Sequence, residues 1–206
     1  IKGDYDKAME FAKKAYESYP MHPITSRNVA LVLLLMGKRD LAIKWAENAV
    51  ELMFLFPRGT GFARSFQLLT ILYLEEGRFD KALEVSRRLD SVDPGSANTL
   101  AAMGLVALYQ GESGNAESCF REALNKDPNG AIWPTGIRHS TFLSYLLECR
   151  GSRTEAERVL ELSSQLNREN NLVTFEKNVC PAQVIQDVLA IPLIRGERTE
   201  ARRQLD

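Results

Sequence analysis

Cysteine, histidine, net charge and long apolar runs are all scarce in this chain, and each scarcity removes a class of function. Cys119, Cys149 and Cys180 are the three cysteines in 206 residues. An odd number without close spacing builds neither a disulfide framework nor a zinc-ligand pattern, and it favours a reducing compartment such as the cytoplasm. The two histidines, His22 and His139, lie far from one another in sequence. Neither sits in a recognisable nucleophile, base and acid arrangement, so no catalytic residue is assigned. The formal net charge is −1, which supplies no field for nucleic acid or an anionic membrane. The most hydrophobic stretch, Val29 to Met36, falls well short of the roughly 18 apolar residues a membrane span needs. No signal peptide is visible at Ile1, which says nothing of a leader further upstream.

What remains is an ordinary balance for a packed protein, with 45% hydrophobic and 26% charged residues, and a strong internal rhythm. A glycine followed five residues later by alanine occurs at Gly3/Ala8, Gly37/Ala42, Gly77/Ala82, Gly111/Ala116, Gly151/Ala156 and Gly196/Ala201. Successive glycines lie 34, 40, 34, 40 and 45 residues apart. Twelve residues after the glycine come Ala15, Ala49, Ala123 and Ser163, with Leu89 as the exception. Seven residues before it come Ala30, Thr70, Gly104 and Ser144, each preceded by a large apolar residue. Pro20, Pro94 and Pro128 close three units and Pro57 closes a longer one.

Between these markers the apolar residues keep helical spacing. Over Asp80 to Val92, for instance, Ala82, Leu83, Val85, Leu89 and Val92 share one face and charges cover the other. A glycine between two such segments suits a tight turn, because it adopts positive φ without penalty. Small residues at fixed positions allow two helices to cross closely. The predicted unit is therefore helix, turn, helix, repeated.

Gly3-Asp4-Tyr5-Asp6-Lys7-Ala8, followed by Ala12, Ala15 and Pro20, resembles the second helix of a tetratricopeptide repeat, and Leu100 to Pro128 resembles a nearly complete unit. The resemblance covers residues 3–166 and, less closely, 181–206. It implies an all-α, right-handed solenoid of stacked antiparallel hairpins. A single solenoid over 1–206 would comprise units near 1–20 (second helix only), 23–57, 63–94, 97–128, 137–166 and 181–206 (incomplete). Extra residues precede the first helices around Phe54 to Phe62 and Asn129 to Gly136. Residues 167–179 have no clear period, and Pro192 falls where it should kink a helix. A chain cut within repeats at both ends is expected to belong to a longer protein or to pair through its open ends.

In such repeats the first helices line a concave surface, so the resemblance implies a protein or peptide partner there. The inward positions are Arg27, Leu31 and Leu34; then Arg64, Gln67, Ile71 and Leu74; then Asn98, Ala101, Leu105 and Leu108; then Arg138, Thr141 and Tyr145. The Lys, Asn and Arg clamp by which some family members hold a terminal carboxylate is absent, since Arg27 is accompanied by Leu31, Leu68, Asn98 and Ala102. An apolar floor favours an amphipathic or extended hydrophobic segment instead. The same stripe equally suits packing, because a narrow superhelix buries part of its own inner face.

The first insertion, Phe54-Leu55-Phe56-Pro57-Arg58-Gly59-Thr60-Gly61-Phe62, fits a lengthened helix and turn whose aromatics cover the neighbouring hairpin, or a contact rim. Ile132-Trp133-Pro134-Thr135-Gly136 lies at the same edge of its unit. Gly59-Thr60-Gly61 lacks the remainder of a phosphate loop. Cys119 fits packing, while Cys149 stands beside Arg150, which would lower its pKa. Arg87-Arg88 and Arg202-Arg203 fit solvated helix faces. Neither metal nor cofactor is implied.

The expected function is a non-catalytic protein-binding scaffold, without nucleic-acid contact or membrane insertion. Structural assembly or dimerisation through the ends is the alternative. A further one comes from Arg138 to Leu205, where Leu146-Leu147, Gly151, Glu155-Ala156-Glu157 and then Gly196-Glu197-Arg198-x-Glu200-Ala201 resemble C-terminal repeat regions of bacterial transcription activators and nucleotide cyclases. That resemblance implies the sensor arm of a signalling protein.

Overall fold

The computed structural model describes residues 4–55, 61–162 and 165. The chain divides into two compact units, Ile1–Val92 and Asp93–Asp206. The first contains α1 (Tyr5–Ser18), α2 (Pro23–Leu35), α3 (Arg39–Met53), α4 (Phe62–Glu75) and α5 (Phe79–Val92). The second contains α6 (Ala97–Tyr109), α7 (Ser113–Lys126), a hairpin of β1 (Ala131–Ile132) and β2 (Ile137–Arg138), and α8 (His139–Cys149). A further helical run covers residues 153–162. The proposed incomplete unit at 181–206, including Pro192, lies outside the described residues.

Helix starts follow local chemistry. Asp4 accepts from the Lys7 backbone N–H at 3.0 Å and Ser96 from that of Thr99 at 3.2 Å, each satisfying one of the amides that a helix start leaves open. Pro23 occupies the first turn of α2, where its missing N–H costs nothing.

Helix ends follow the phased glycines. Gly37, Gly77, Gly111 and Gly151 have φ of 73°, 70°, 77° and 84°. After each, the next N–H reaches back six residues inclusive: Lys38 to Leu33, Arg78 to Tyr73, Glu112 to Ala107 and Ser152 to Leu147. That bond and the left-handed glycine satisfy the last carbonyls of one helix and aim the next one antiparallel. A Cβ at Gly77 would meet nothing within 4 Å, so strain there is purely conformational. Gly77→Ala is expected to destabilise the first unit by about 1–2 kcal/mol, measured as a fall in the urea midpoint; an unchanged midpoint would refute that account of the turn.

Phased small residues meet in the hairpin interiors. Ala42, Ala82, Ala116 and Ala156 have no exposed surface, nor do Ala30, Thr70 and Ser144. Gly104 is buried at the same register, and a Cβ there would stand 3.1 Å from the Phe120 ring. In unit one α2 packs on α3, and α4 on α5; in unit two α6 packs on α7. The second helices are two-faced: α5 buries Ala82, Val85, Ser86 and Leu89 and exposes most of the rest. First helices are apolar on several sides and are enclosed accordingly. Every residue of α4 from Ser65 to Leu74 is buried, as a helix with neighbours all around must be.

The two insertions differ. Helix α3 ends at Met53, and Phe54 meets Phe66 edge-on at 6.0 Å while Phe62 lies 5.0 Å from the same ring. Phe54 and Phe62 thus cover the adjacent hairpin, and residues 56–60 lie outside those described. The second insertion forms the antiparallel β1–β2 pair, with Ile132 opposite Ile137 and the Gly136 N–H bonded to the Ile132 carbonyl at 2.7 Å.

Candidate functional site

The fourteen residues expected to face a partner fall into three groups. Arg27, Gln67, Ile71 and Leu74 in unit one, and Ala101, Leu105, Arg138 and Thr141 in unit two, are buried within the chain. Leu31, Leu34 and Leu108 are half-buried. Arg64, Asn98 and Tyr145 are exposed. Residues ten positions before the turn glycine (Arg27, Gln67, Ala101 and Thr141) are all enclosed. The open side chains come from thirteen, six and three positions before it.

Both buried arginines hold loops. Arg27 donates to the Gly61 carbonyl at 3.2 Å, where the first insertion joins α4. Burial and the neighbouring Arg64 hold its pKa below the ordinary guanidinium value. Arg138 donates to the Asn129 carbonyl at 2.7 Å, across the base of the second insertion. In sequence these residues look like groove cations at helix starts; in the structure each ties an inserted loop to its own unit.

Other sequence-marked residues also acquire partners. Arg150 bonds Glu117 at 2.7 Å and approaches Glu155 at 3.6 Å, so its charge is shared with two carboxylates. The Cys149 sulfur holds the Tyr145 hydroxyl pKa above its usual value. Cys119 is half-buried and burial pushes its thiol pKa up, opposite to what a nucleophile needs. Arg88, expected on a solvated face, bridges to Glu51 at 2.8 Å and lies 4.9 Å over the Phe54 ring. Arg202-Arg203 lie outside the described residues.

Sequence reasoning missed a surface cleft of about 350 Å³ between α3 and α5, lined by Glu47, Glu51, Lys81, Glu84 and Arg88 and floored by Leu69, Tyr73 and Val85. The Tyr73 hydroxyl donates to Glu47. Burial first, then the hydrogen bond to Glu47 and the charges of Glu47 and Glu84, raise the phenol pKa. Arg78 and Lys81 lie 4.7 and 5.6 Å from the face of its ring. These contacts bind three helices together, and no spacing in the sequence announces them.

Among the described residues, no group of three or more His, Cys, Asp or Glu side chains is placed to hold a metal ion. No helix among them is long and apolar enough to cross a membrane.

Comparison of the folded chain with solved structures decides its class. A tetratricopeptide repeat protein from Parabacteroides merdae ATCC 43184 superposes with a TM-score of 0.62 over 98% of this chain and 70% of its own, at 15% identity. The chain has a tetratricopeptide-like repeat fold. The Cut9–Hcn1 hetero-tetramer of the APC/C matches with a TM-score of 0.63 at 17% identity, over 98% of this chain and 40% of that one. MamA matches with a TM-score of 0.54 at 20% identity, over 82% of this chain and 92% of its own. No family model matches the sequence, and no curated protein matches it. At these identities the likeness is one of fold. It agrees with the tetratricopeptide spacing of glycine and alanine, which the four glycine turns and the buried small residues realise in three dimensions.

Proposed function

We propose that this tetratricopeptide-like chain is a non-catalytic scaffold that binds an apolar or amphipathic protein segment along its first helices. The observation that carries the reading is the mixture left open there. Unit one leaves Leu31 and Leu34 half-open and Arg64 exposed; unit two leaves Leu108 half-open and Asn98 and Tyr145 exposed. Aliphatic and aromatic surface next to polar side chains gives a segment both buried area and orientation. In the Cut9–Hcn1 assembly a protein of similar fold is held in a complex with other chains, which supports a scaffold role by analogy. The expected result is that Leu31→Glu/Arg64→Glu/Tyr145→Glu keeps the helical circular dichroism of the parent. It should lose the proteins that the parent captures from lysate and that mass spectrometry identifies. Capture of the same proteins by the folded variant overturns the reading.

One observation favours self-association as a second reading. Ala8 and Ala15 of α1 remain half-buried where Ala42, Ala49, Ala82, Ala116 and Ala123 are fully enclosed, and Phe11 is 61% exposed. Association by that face predicts a concentration-dependent dimer in sedimentation equilibrium that Phe11→Glu abolishes. A species that stays monomeric at all concentrations rules it out.

A further inference from the structure

His139 occupies an unusual place for a histidine. It is the first residue of α8 and is 1% exposed. Its backbone N–H donates to the Gly130 carbonyl at 3.1 Å, closing the loop that carries β1 and β2. Gly130 lies directly over the imidazole: a Cβ there would stand 2.6 Å from Nδ1 and nearer still to Cε1. Bare backbone therefore lids the ring, and no larger residue fits the lid. The carbonyls of Ala123 and Asp127 favour a protonated ring from nearby, but neither ring nitrogen has a hydrogen-bond partner.

We infer that His139 is an acid-sensitive latch, whose protonation lifts the 127–138 loop and its β hairpin off α6 and the start of α8. A neutral imidazole is tolerated in this enclosed pocket, whereas an imidazolium loses more by burial there than the Ala123 and Asp127 carbonyls and the Asp127 charge return to it. Opening the lid is the local movement that gives the charged ring water. Burial dominates its behaviour and lowers its pKa from 6.5 to about 4. The charges acting on it are Asp127 at the end of α7, which favours the proton, and Arg138 of β2, which opposes it. Helix α6 carries no charged residue, and Tyr145, Glu148 and Cys149 of α8 lie six or more residues further down that helix. Because the closed-state pKa is depressed, closure is fully favoured above pH 6.5 and loses ground as pH falls towards 4. The opening equilibrium then rises by as much as tenfold per pH unit, about 300-fold across the window. Opening uncovers Ile132, which has no exposed surface when the loop is closed, so acid changes the apolar surface of unit two.

Hydrogen exchange on the full chain tests this, with protection corrected for the intrinsic rate at each pH. The amides of Gly136 and His139 should lose protection in a step that starts at pH 6.5 and runs to the pH near 4 where the His139 Cε1 proton resonance shifts, while Leu147 and Ala123 amides keep theirs. In His139→Gln the same amides should show no such step. A step of equal size in the variant, or a His139 that takes up its proton while both amides stay protected, overturns the latch. Should the variant fail to fold, the wild-type comparison of resonance and amides decides alone.

Discussion

Phe120→Ala is expected to cost the second unit about 3–5 kcal/mol. Phe120 has no exposed surface, and its ring lies parallel to that of Phe142 at 5.1 Å with 7° between the planes. Its far edge touches the backbone of α6 at Gly104, where a Cβ would come within 3.1 Å. Removing the ring leaves a void between α6, α7 and α8 that rigid helix backbones cannot close, so lost transfer energy and an unfilled cavity add together. The measurement is urea unfolding followed by Trp133 fluorescence in a Trp45→Phe background, which isolates the second unit's tryptophan. A loss below about 1 kcal/mol would mean that α6 collapses onto α7. Gly104 would then not be held by the ring.

This crossing shows how far the sequence reaches. Gly104 occupies the phase of Ala30, Thr70 and Ser144, so its smallness was predictable from spacing, and each of these residues is buried where helices cross. The turns were equally legible, because a phased glycine before a new amphipathic segment has few structural uses other than a left-handed helix end. What the phase does not carry is the number of neighbours a helix has. Periodicity tells which face of α4 meets α5, yet α4 also packs on α3 and α2, and that enclosure turns Gln67 and Leu74 from expected contact residues into interior ones. Arg27 and Arg138 have partners 34 and 9 residues away, both backbone carbonyls. A backbone acceptor leaves no mark in residue type, so these arginines resemble binding cations when the sequence stands alone. The Tyr73–Glu47 bond and the Arg88–Glu51 bridge escape for the related reason that each joins residues of different hairpins.

The same register separates two substitutions that look equivalent in the sequence. Leu31 and Ile71 each stand six residues before a turn glycine, but Ile71 is 8% exposed and Leu31 only half-buried. Ile71→Glu places a carboxylate inside a helix that is enclosed from Ser65 to Leu74. Keeping it charged there costs several kcal/mol, and keeping it protonated at neutral pH still leaves unmet hydrogen bonds and a lost apolar side chain. Against a stability of about 5–15 kcal/mol for a typical domain, the first unit should unfold at a much lower urea concentration or lose its helical signal outright. Leu31→Glu leaves its carboxylate able to reach water, as a long side chain does from a half-open position, and its expected cost is about 1 kcal/mol or less. Circular dichroism and urea midpoints of the two variants side by side make the comparison. Equal, small losses would show that the α4 surface is accessible and that Ile71 belongs with the contact residues. A large loss for Ile71→Glu alone confines any partner to the open positions, since binding free energy at a side chain requires that the partner reach it.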